Sequence, residues 1–400
     1  MATSFFTQAS WQGAKRETSR IASCGKCGLF RQCVTPKMPP TGRGDRKVLF
    51  VAEAPGENED RKGVQLIGKA GQKLRQILRE LDCQLDDCWK DNACRCRPPH
   101  NKIEPIYIES CRPNLLRTIR ELKPSVIVLL GGSAVRSLIP AEREADVGAI
   151  ARWVGWRIPS HEHQAWICPT YHPSYLLRVN SPVLDRIFKE HLRRALLKEG
   201  KPIKSEPLDV LKSKVECIQD PKSALLRVQD LGKRSGVLAF DYESNRLKPD
   251  HHKSRIYACS FCLEGEDTFS VLVTDELLPA ISEVLRRKQL RKVASNLKNE
   301  ERWTRAIMKH PVAGWYWDTM LASHVLDNRT GITGLKFQAF VNFGIADYNR
   351  VVERYFEQVD REGFNRIEDC PKEELLQYNA LDSLLEYRLA MVQRKQMGLT

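Results

Sequence analysis

No apolar run in this 400-residue chain is long enough to cross a membrane. The longest, SVIVLLGG, is far short of the roughly 20 residues a bilayer core demands. Nor is there an apolar leader that would place the chain in an oxidising compartment, so thirteen cysteines, an odd number, argue for metal ligation over a disulfide framework. Internal repeats and low-complexity tracts are missing. Acidic residues are in deficit: 50 against 64 Lys and Arg, for a formal charge of +14. That imbalance favours a polyanionic partner, with nucleic acid first among candidates. What is present, 42% hydrophobic and 28% charged residues, suits a globular chain.

Four hundred residues exceed what one core usually organises, so two domains are expected. The opening MATSFFTQASWQGAKRETSR is basic and rich in Ser and Thr, and reads as a basic arm or a transit peptide. From RKVLFVAEAPG to about residue 195, short apolar strands (VLFVA, SVIVLLGG) alternate with helical patterns (GKAGQKLRQILREL, SAVRSLI). Such alternation predicts a mostly parallel sheet covered by helices. KPIKSEPLDVLKSK, polar and carrying two prolines, reads as a linker. Beyond it GVLAFDYES, RIYACSFCLE and DTFSVLV form a second sheet in meander order, followed mainly by helices. The expected domains are 20–198 and 215–400, joined by 199–214.

In GVLAFDYES an apolar strand ends in Asp241 and Glu243, two acids that alternation places on one side. Like charges held that close call for a cation. Downstream, Tyr378 and Asp382 are four apart on a helical pattern, and Asn296 and Glu300 repeat that offset after a short apolar strand. The three stretches DYE, NLKNE and YNALD, in that order, resemble the motifs of the proofreading 3′–5′ exonuclease domain of the DNA polymerase I family, of ribonuclease H-like fold. WDTMLASHVL, with Asp318, resembles that family's stretch between its second and third motifs. The resemblance covers nearly all of residues 215–395 and implies two Mg2+ or Mn2+ ions held by Asp241, Glu243 and Asp382, with Glu300 acting through water. It also implies that Tyr378 orients the attacking water and that Asn296 contacts DNA. Glu300 stands where the family usually has Asp.

Cys24 and Cys27 form a tight CxxC pair, and CRCRPPHNKIEPIYIESC adds Cys96 and Cys111, with Cys94 a competitor. Four thiolates suit zinc or an iron–sulfur cluster, and spacing does not choose between them. VAEAPGENEDRKGVQLIGKAGQKL, NACRCRPPHN and TYHPSYLLR together resemble family 4 uracil-DNA glycosylases over residues 20–195. That resemblance implies a [4Fe–4S] cluster on Cys24, Cys27, Cys96 and Cys111, leaving Cys33, Cys83, Cys88, Cys94 and Cys168 as packing side chains. It implies a uracil pocket of Ala54, Gly56, Leu66, Asn92 and His172, with Glu53 or Glu59 positioning water or stabilising the cationic sugar. Tyr175, Leu176 and Arg178 are then expected to fill the gap in the duplex or hold phosphates. Where the family has Pro-Phe-Val-Gly, this chain reads Gln65-Leu66-Ile67-Gly68, so the aromatic floor beneath the base is replaced by leucine.

The expected protein is therefore α/β throughout: a parallel-sheet glycosylase-like domain, then a ribonuclease H-like exonuclease domain. Its expected partner is DNA, single-stranded, frayed at the 3′ end or containing uracil, alongside a separately encoded DNA polymerase. The setting is the cytoplasm of a bacterial or virus-infected cell. The rival reading makes the first domain a non-excising DNA- or uracil-binding module that tethers the exonuclease.

Overall fold

The computed structural model describes residues 24–142 and 147–399, and the basic opening stretch and residues 20–23 lie outside them. The chain divides into two compact units between Ser205 and Glu206, each with its own sheet.

The first unit runs β1 (Val48–Ala52), α1 (Glu57–Lys62), α2 (Lys69–Arg79), β2 (Trp89–Asn92), α3 (Pro105–Leu122), β3 (Val126–Leu130), α4 (Gly132–Glu142), β4 (Ile158–Ser160), β5 (Ala165–Thr170), α5 (Pro173–Val179) and α6 (Pro182–Leu196). Its sheet has the order β2-β1-β3-β5-β4, parallel except for β4. Every residue of β1, β3 and β5 is buried, because helices cover both faces of a parallel sheet. Leu74, Ile77 and Leu78 of α2 and Phe188 and Leu192 of α6 supply one covering layer. Helix α6 starts where the sequence dictates: Ser181 accepts from the Leu184 N–H at 3.4 Å, and Pro182 takes the first helical position. After β1 the chain adds β2 on one side and β3 on the other. That reversal opens a crevice at the carboxyl ends of β1 and β3, where α/β sheets receive ligands.

The second unit runs α7 (Leu208–Lys214), β6 (Glu216–Ile218), α8 (Pro221–Gly232), β7 (Gly236–Ser244), β8 (Ile256–Leu263), β9 (Asp267–Leu272), α9 (Leu278–Arg286), β10 (Leu290–Ala294), α10 (Lys298–Met308), β11 (Trp315–Asp318), α11 (Thr319–Leu326), α12 (Leu335–Phe343), α13 (Glu353–Phe356) and α14 (Lys372–Gln396). The sheet order is β11-β10-β7-β8-β9-β6, with the expected β7-β8-β9 meander antiparallel and the β11-β10-β7 part parallel. The 25-residue α14 lies against the sheet with Leu376, Leu381 and Leu385 in the core. It therefore faces the strand that carries Asp241 and Glu243.

The stretch 199–214 is not a free linker. Glu199 pairs with Arg46 at 2.7 Å and the Lys201 carbonyl accepts from the Trp166 indole at 2.9 Å, tying its start to the first unit. Its end is α7, whose Leu211 is fully buried in the second unit. Of the two prolines that suggested a linker, Pro207 is the N-cap of a short helix whose Leu208 and Leu211, three apart, face the core. Among the described residues no helix is long and apolar enough to cross a membrane.

Candidate active sites

The crevice of the first unit holds a cavity of about 550 Å³ lined by Glu53, Ala54, Gly56, Glu59, Leu66, Asn92, His172 and Arg178, among others. Glu53 follows β1, Asn92 ends β2 and His172 follows β5, so three strand ends deliver three polar groups to one space. Asn92 is 2% exposed and its amide nitrogen has no hydrogen-bond partner. A buried donor left unmade is costly unless a ligand completes it. His172 caps α5: its Nδ1 accepts from the Ser174 N–H at 3.2 Å, which puts the neutral ring's proton on Nε2. Burial holds this imidazole below its ordinary value, although Glu53 opposes the shift, so the neutral Nε2–H tautomer prevails at neutral pH.

The two glutamates differ. Glu59 Oε1 accepts from the N–H groups of Ile67 at 3.0 Å and Gly68 at 2.7 Å and so clamps the loop that opens α2. Glu53 has a single long contact, 3.4 Å from the Ser133 N–H, and leaves its carboxylate for chemistry. Leu66, at φ +54°, is buried on the cavity wall. Its neighbour Gln65 faces away, where it holds the Pro39 carbonyl and accepts from Thr41 at 2.6 Å. Leu176 corrects the sequence reading: it is 2% exposed and packs in the core, so it is not available to a duplex. On α5 the outward positions belong to Tyr175 and Leu177, and Arg178 reaches the cavity while bonded to Ser174 at 3.1 Å.

Cys24, Cys27, Cys96 and Cys111 line a second cavity together with Arg95, Ser110 and Asn114. Backbone N–H groups point at the sulfurs: Lys37 to Cys96 at 3.2 Å and Arg95 to Cys111 at 3.3 Å, joined by the Asn114 amide at 3.6 Å. Donors aimed at sulfur favour thiolate, so this donor set fits a thiolate-held metal, whether zinc or an iron–sulfur cluster. Cys94 is absent from the lining and almost fully buried. Cys83, Cys88 and Cys168 pack in the core, while Cys33 stays half-buried. Arg95 secures the region: its guanidinium meets Asp91 at 2.7 and 3.1 Å, the Asn114 carbonyl at 3.3 Å and the Thr118 hydroxyl.

In the second unit, carboxylate oxygens of Asp241, Glu243 and Asp382 lie within 4.8 Å of one another. Tyr242, between the first two, turns to the opposite face and is buried, as strand alternation requires. Burial, then the Asp382 charge, pushes Asp241 up to about 7. Burial and Asp241 raise Glu243 well above the carboxylate range. Three carboxylates this close, two of them raised by burial and by a neighbouring acid, are the chemistry of a hard-cation site. Glu300, on α10, lies outside the tight triad, is 2% exposed, and leaves Oε2 without a partner while Oε1 accepts from Asn299 at 3.0 Å. Asn296 sits at φ +68°, its N–H held by Asp318 at 3.2 Å. Asp318 is a clip: it also accepts from the N–H groups of Leu297, Met320 and Leu321.

Four residues here escaped the sequence reading. Asn379 donates to Asp241 at 2.8 Å and is itself held by Ser270 at 3.0 Å. Lys336 donates to Tyr378 at 2.5 Å and to Asp382 at 2.8 Å, and Tyr348 donates to the other Asp382 oxygen. Glu386, one turn beyond Asp382, is 1% exposed, accepts from the Ser295 N–H at 3.1 Å and leaves Oε2 unpaired. Only Asn379 and Glu386 had a local signal, their place on the helix that carries Tyr378 and Asp382.

The profile of the Uracil DNA glycosylase superfamily matches residues 39–198, and that of the 3′–5′ exonuclease matches residues 213–396. The chain is 33% identical over 190 residues to the type-4 uracil-DNA glycosylase of Thermotoga maritima, covering 46% of this chain and 94% of that protein. The chain belongs to the type-4 uracil-DNA glycosylase family. Its glycosylase unit is followed by a 3′–5′ exonuclease domain, and the whole is a DNA-processing hydrolase. The chain is also 24% identical over 325 residues to a DNA polymerase of Bacillus phage SP01, covering 73% of this chain and only 34% of the polymerase. Among solved structures it is similar to Brucella melitensis NrnC bound to pGG, at 14% identity and a TM-score of 0.35, over 46% of this chain and 81% of that one.

Proposed function

We propose that the glycosylase unit excises uracil from DNA and that the exonuclease unit shortens the same class of substrate from its 3′ end, acting on single-stranded or frayed termini beside a separately encoded polymerase. The setting proposed is the cytoplasm of a bacterial or phage-infected cell. The observation that carries the reading is that Glu53, Asn92 and His172 line one cavity in the first unit while carboxylate oxygens of Asp241, Glu243 and Asp382 lie within 4.8 Å of one another in the second.

For excision, the flipped uracil enters the cavity and the unpartnered Asn92 amide reads its polar edge while Leu66 supplies an apolar floor. The glycosidic bond breaks with its electron pair leaving on uracil, and the His172 Nε2–H donates to the oxygen that gathers this charge. Glu53 steadies the cationic sugar and orients the water that adds to it. Tyr175 and Arg178 face the DNA. Cys24, Cys27, Cys96 and Cys111 would hold a [4Fe–4S] cluster that ties the amino-terminal CxxC turn to α3.

For hydrolysis, Asp241, Glu243 and Asp382 would hold two divalent cations, Mg2+ or Mn2+, which when bound stabilise charge on the attacking and leaving oxygens. Glu300 reaches that site through water. Because the Tyr378 oxygen accepts from Lys336, its own O–H is left to orient the attacking water. That water's oxygen bonds to phosphorus as the bond to the 3′ oxygen breaks.

A 5′-labelled single strand with one uracil, incubated with Mg2+ or with EDTA and then treated with alkali, tests both activities. Excision is expected to leave an alkali-labile site in either buffer, and the exonuclease a Mg2+-dependent ladder shrinking from the 3′ end that Asp241→Ala abolishes. A persistent ladder with no alkali-labile product overturns excision in favour of a non-excising uracil- or DNA-binding unit.

A further inference from the structure

Lys336 comes from α12, which neither carries an acid of the triad nor belongs to the sheet. Its ammonium nevertheless sits inside the exonuclease site. It bonds to Asp382 Oδ2 at 2.8 Å and to the Tyr378 hydroxyl at 2.5 Å. The rings of Tyr378 and Tyr348 flank it, with centroids 4.7 and 5.5 Å from Nζ, so aromatic faces as well as carboxylate hold the charge. Tyr348 occupies the other oxygen of Asp382, so both oxygens of this acid are engaged by protein donors.

We propose that Lys336 is the resident counter-cation of the exonuclease carboxylates, and that loading a divalent ion at Asp382 is an exchange in which the ammonium gives up its place. This rests on the exonuclease reading above. The triad places oxygens of three acids within 4.8 Å of one another, and the lysine ammonium is bonded to one of the three, Asp382. A divalent ion coordinated by Asp382 would stand within a few ångströms of the ammonium, where like charges repel strongly in a poorly screened site. Metal and lysine therefore compete for one carboxylate. A Lys336 side chain that is 35% exposed has open space into which to withdraw. Lys336 is thus a positioning residue: it keeps the acids and Tyr378 gathered before metal arrives and weakens the first metal-binding step.

Calorimetric titration of the metal-free full chain with Mn2+ tests this. Lys336→Gln keeps donors for Tyr378 and Asp382 but removes the charge. It is expected to bind Mn2+ at least about tenfold more tightly, equivalent to about 1.4 kcal/mol, and to unfold at a lower temperature without metal. Lys336→Arg, which keeps the charge, is expected to retain the wild-type affinity. A Gln variant that binds no more tightly than wild type, or an Arg variant that tightens as Gln does, overturns the exchange. Asp241→Ala separates the two layers of the argument. If its titration matches the wild type, the cation site itself is refuted, whereas loss of binding in Asp241→Ala with unchanged affinity in Lys336→Gln sinks the lysine alone.

Discussion

Arg95→Met should dismantle the glycosylase unit from inside while sparing the exonuclease. Arg95 and Asp91 are 6% and 0% exposed at the side chain, so neither charge is shared with solvent. The guanidinium bridges the end of β2, through Asp91, to α3, through Asn114 and Thr118, and its own backbone N–H meets Cys111. One ion pair thus fixes the strand that presents Asn92 and the helix that presents Cys111. Methionine fills much of the volume but leaves the Asp91 carboxylate buried with only the Asn92 N–H, at 2.8 Å, as company. Removing one partner of a buried pair costs about 3–5 kcal/mol. With a urea dependence of about 2 kcal/mol per molar, the unfolding midpoint of this unit should fall by on the order of 2 M.

The assay follows visible absorption of the proposed [4Fe–4S] cluster through a urea titration, with uracil excision and 3′ shortening measured on the same preparation. Absorption and excision should be lost early, and 3′ shortening should stay within about twofold of wild type, because Arg95 belongs to the first compact unit. Replacing both partners, Asp91→Leu with Arg95→Met, should recover most of the midpoint, since an apolar pair of similar volume is about as stable as a buried ion pair. A single variant whose midpoint moves by less than about 0.5 M, where 3 kcal/mol was expected, would refute the reasoning. So would a parallel loss of exonuclease activity.

His172 offers a pH test. Burial lowers its folded-state pKa, so the unfolded chain takes up the proton first as pH falls through about 6.5. This group's contribution to stability is therefore complete above that value and declines below it. Excision should stay flat from pH 8 to about 6.5, and His172→Ala should lower it by about 10²–10³, the usual effect of removing one donor to a developing oxyanion; a fall beginning above pH 7 would contradict the neutral-imidazole role. Leu66→Phe should restore a stacking surface worth about 1–3 kcal/mol, tightening uracil binding by roughly 5- to 150-fold in equilibrium titrations of uracil-containing single strands. An unchanged affinity would show that leucine already serves as the floor.

The sequence made legible whatever depends on local period. The DYE acids follow an apolar strand, Tyr378 and Asp382 share a helix face, and the structure brings Asp241, Glu243 and Asp382 together. Phase within a single turn was not legible: a helix periodicity over SYLLR does not say whether Leu176 or Leu177 faces inward, and the core took Leu176. Cys94 and Cys96, two residues apart, differ because only Cys96 turns to the cavity, its sulfur met by the Lys37 N–H. Lys336 and Tyr348 meet Asp382 across 46 and 34 residues of chain, and no spacing rule spans such distances.

Buried polar groups near the two candidate sites differ in how completely they are paired. Gln65, Asp91 and Arg95 are fully or nearly buried and fully engaged by their neighbours, as buried groups with a purely structural task must be. Asn92 is buried as deeply, yet its amide nitrogen meets nothing. Among the described residues, the buried carboxylate oxygens without a hydrogen-bond partner are Oε2 of Glu300 and Oε2 of Glu386. Both feel the charge of Asp241, and burial raises both well above the carboxylate range. A buried acid of this kind is held neutral by its raised pKa, and a cation or its water can complete the open oxygen in place of the proton. Glu386 lies one turn beyond Asp382 on α14 and Glu300 lies on α10, and we propose that both extend the exonuclease site past the triad.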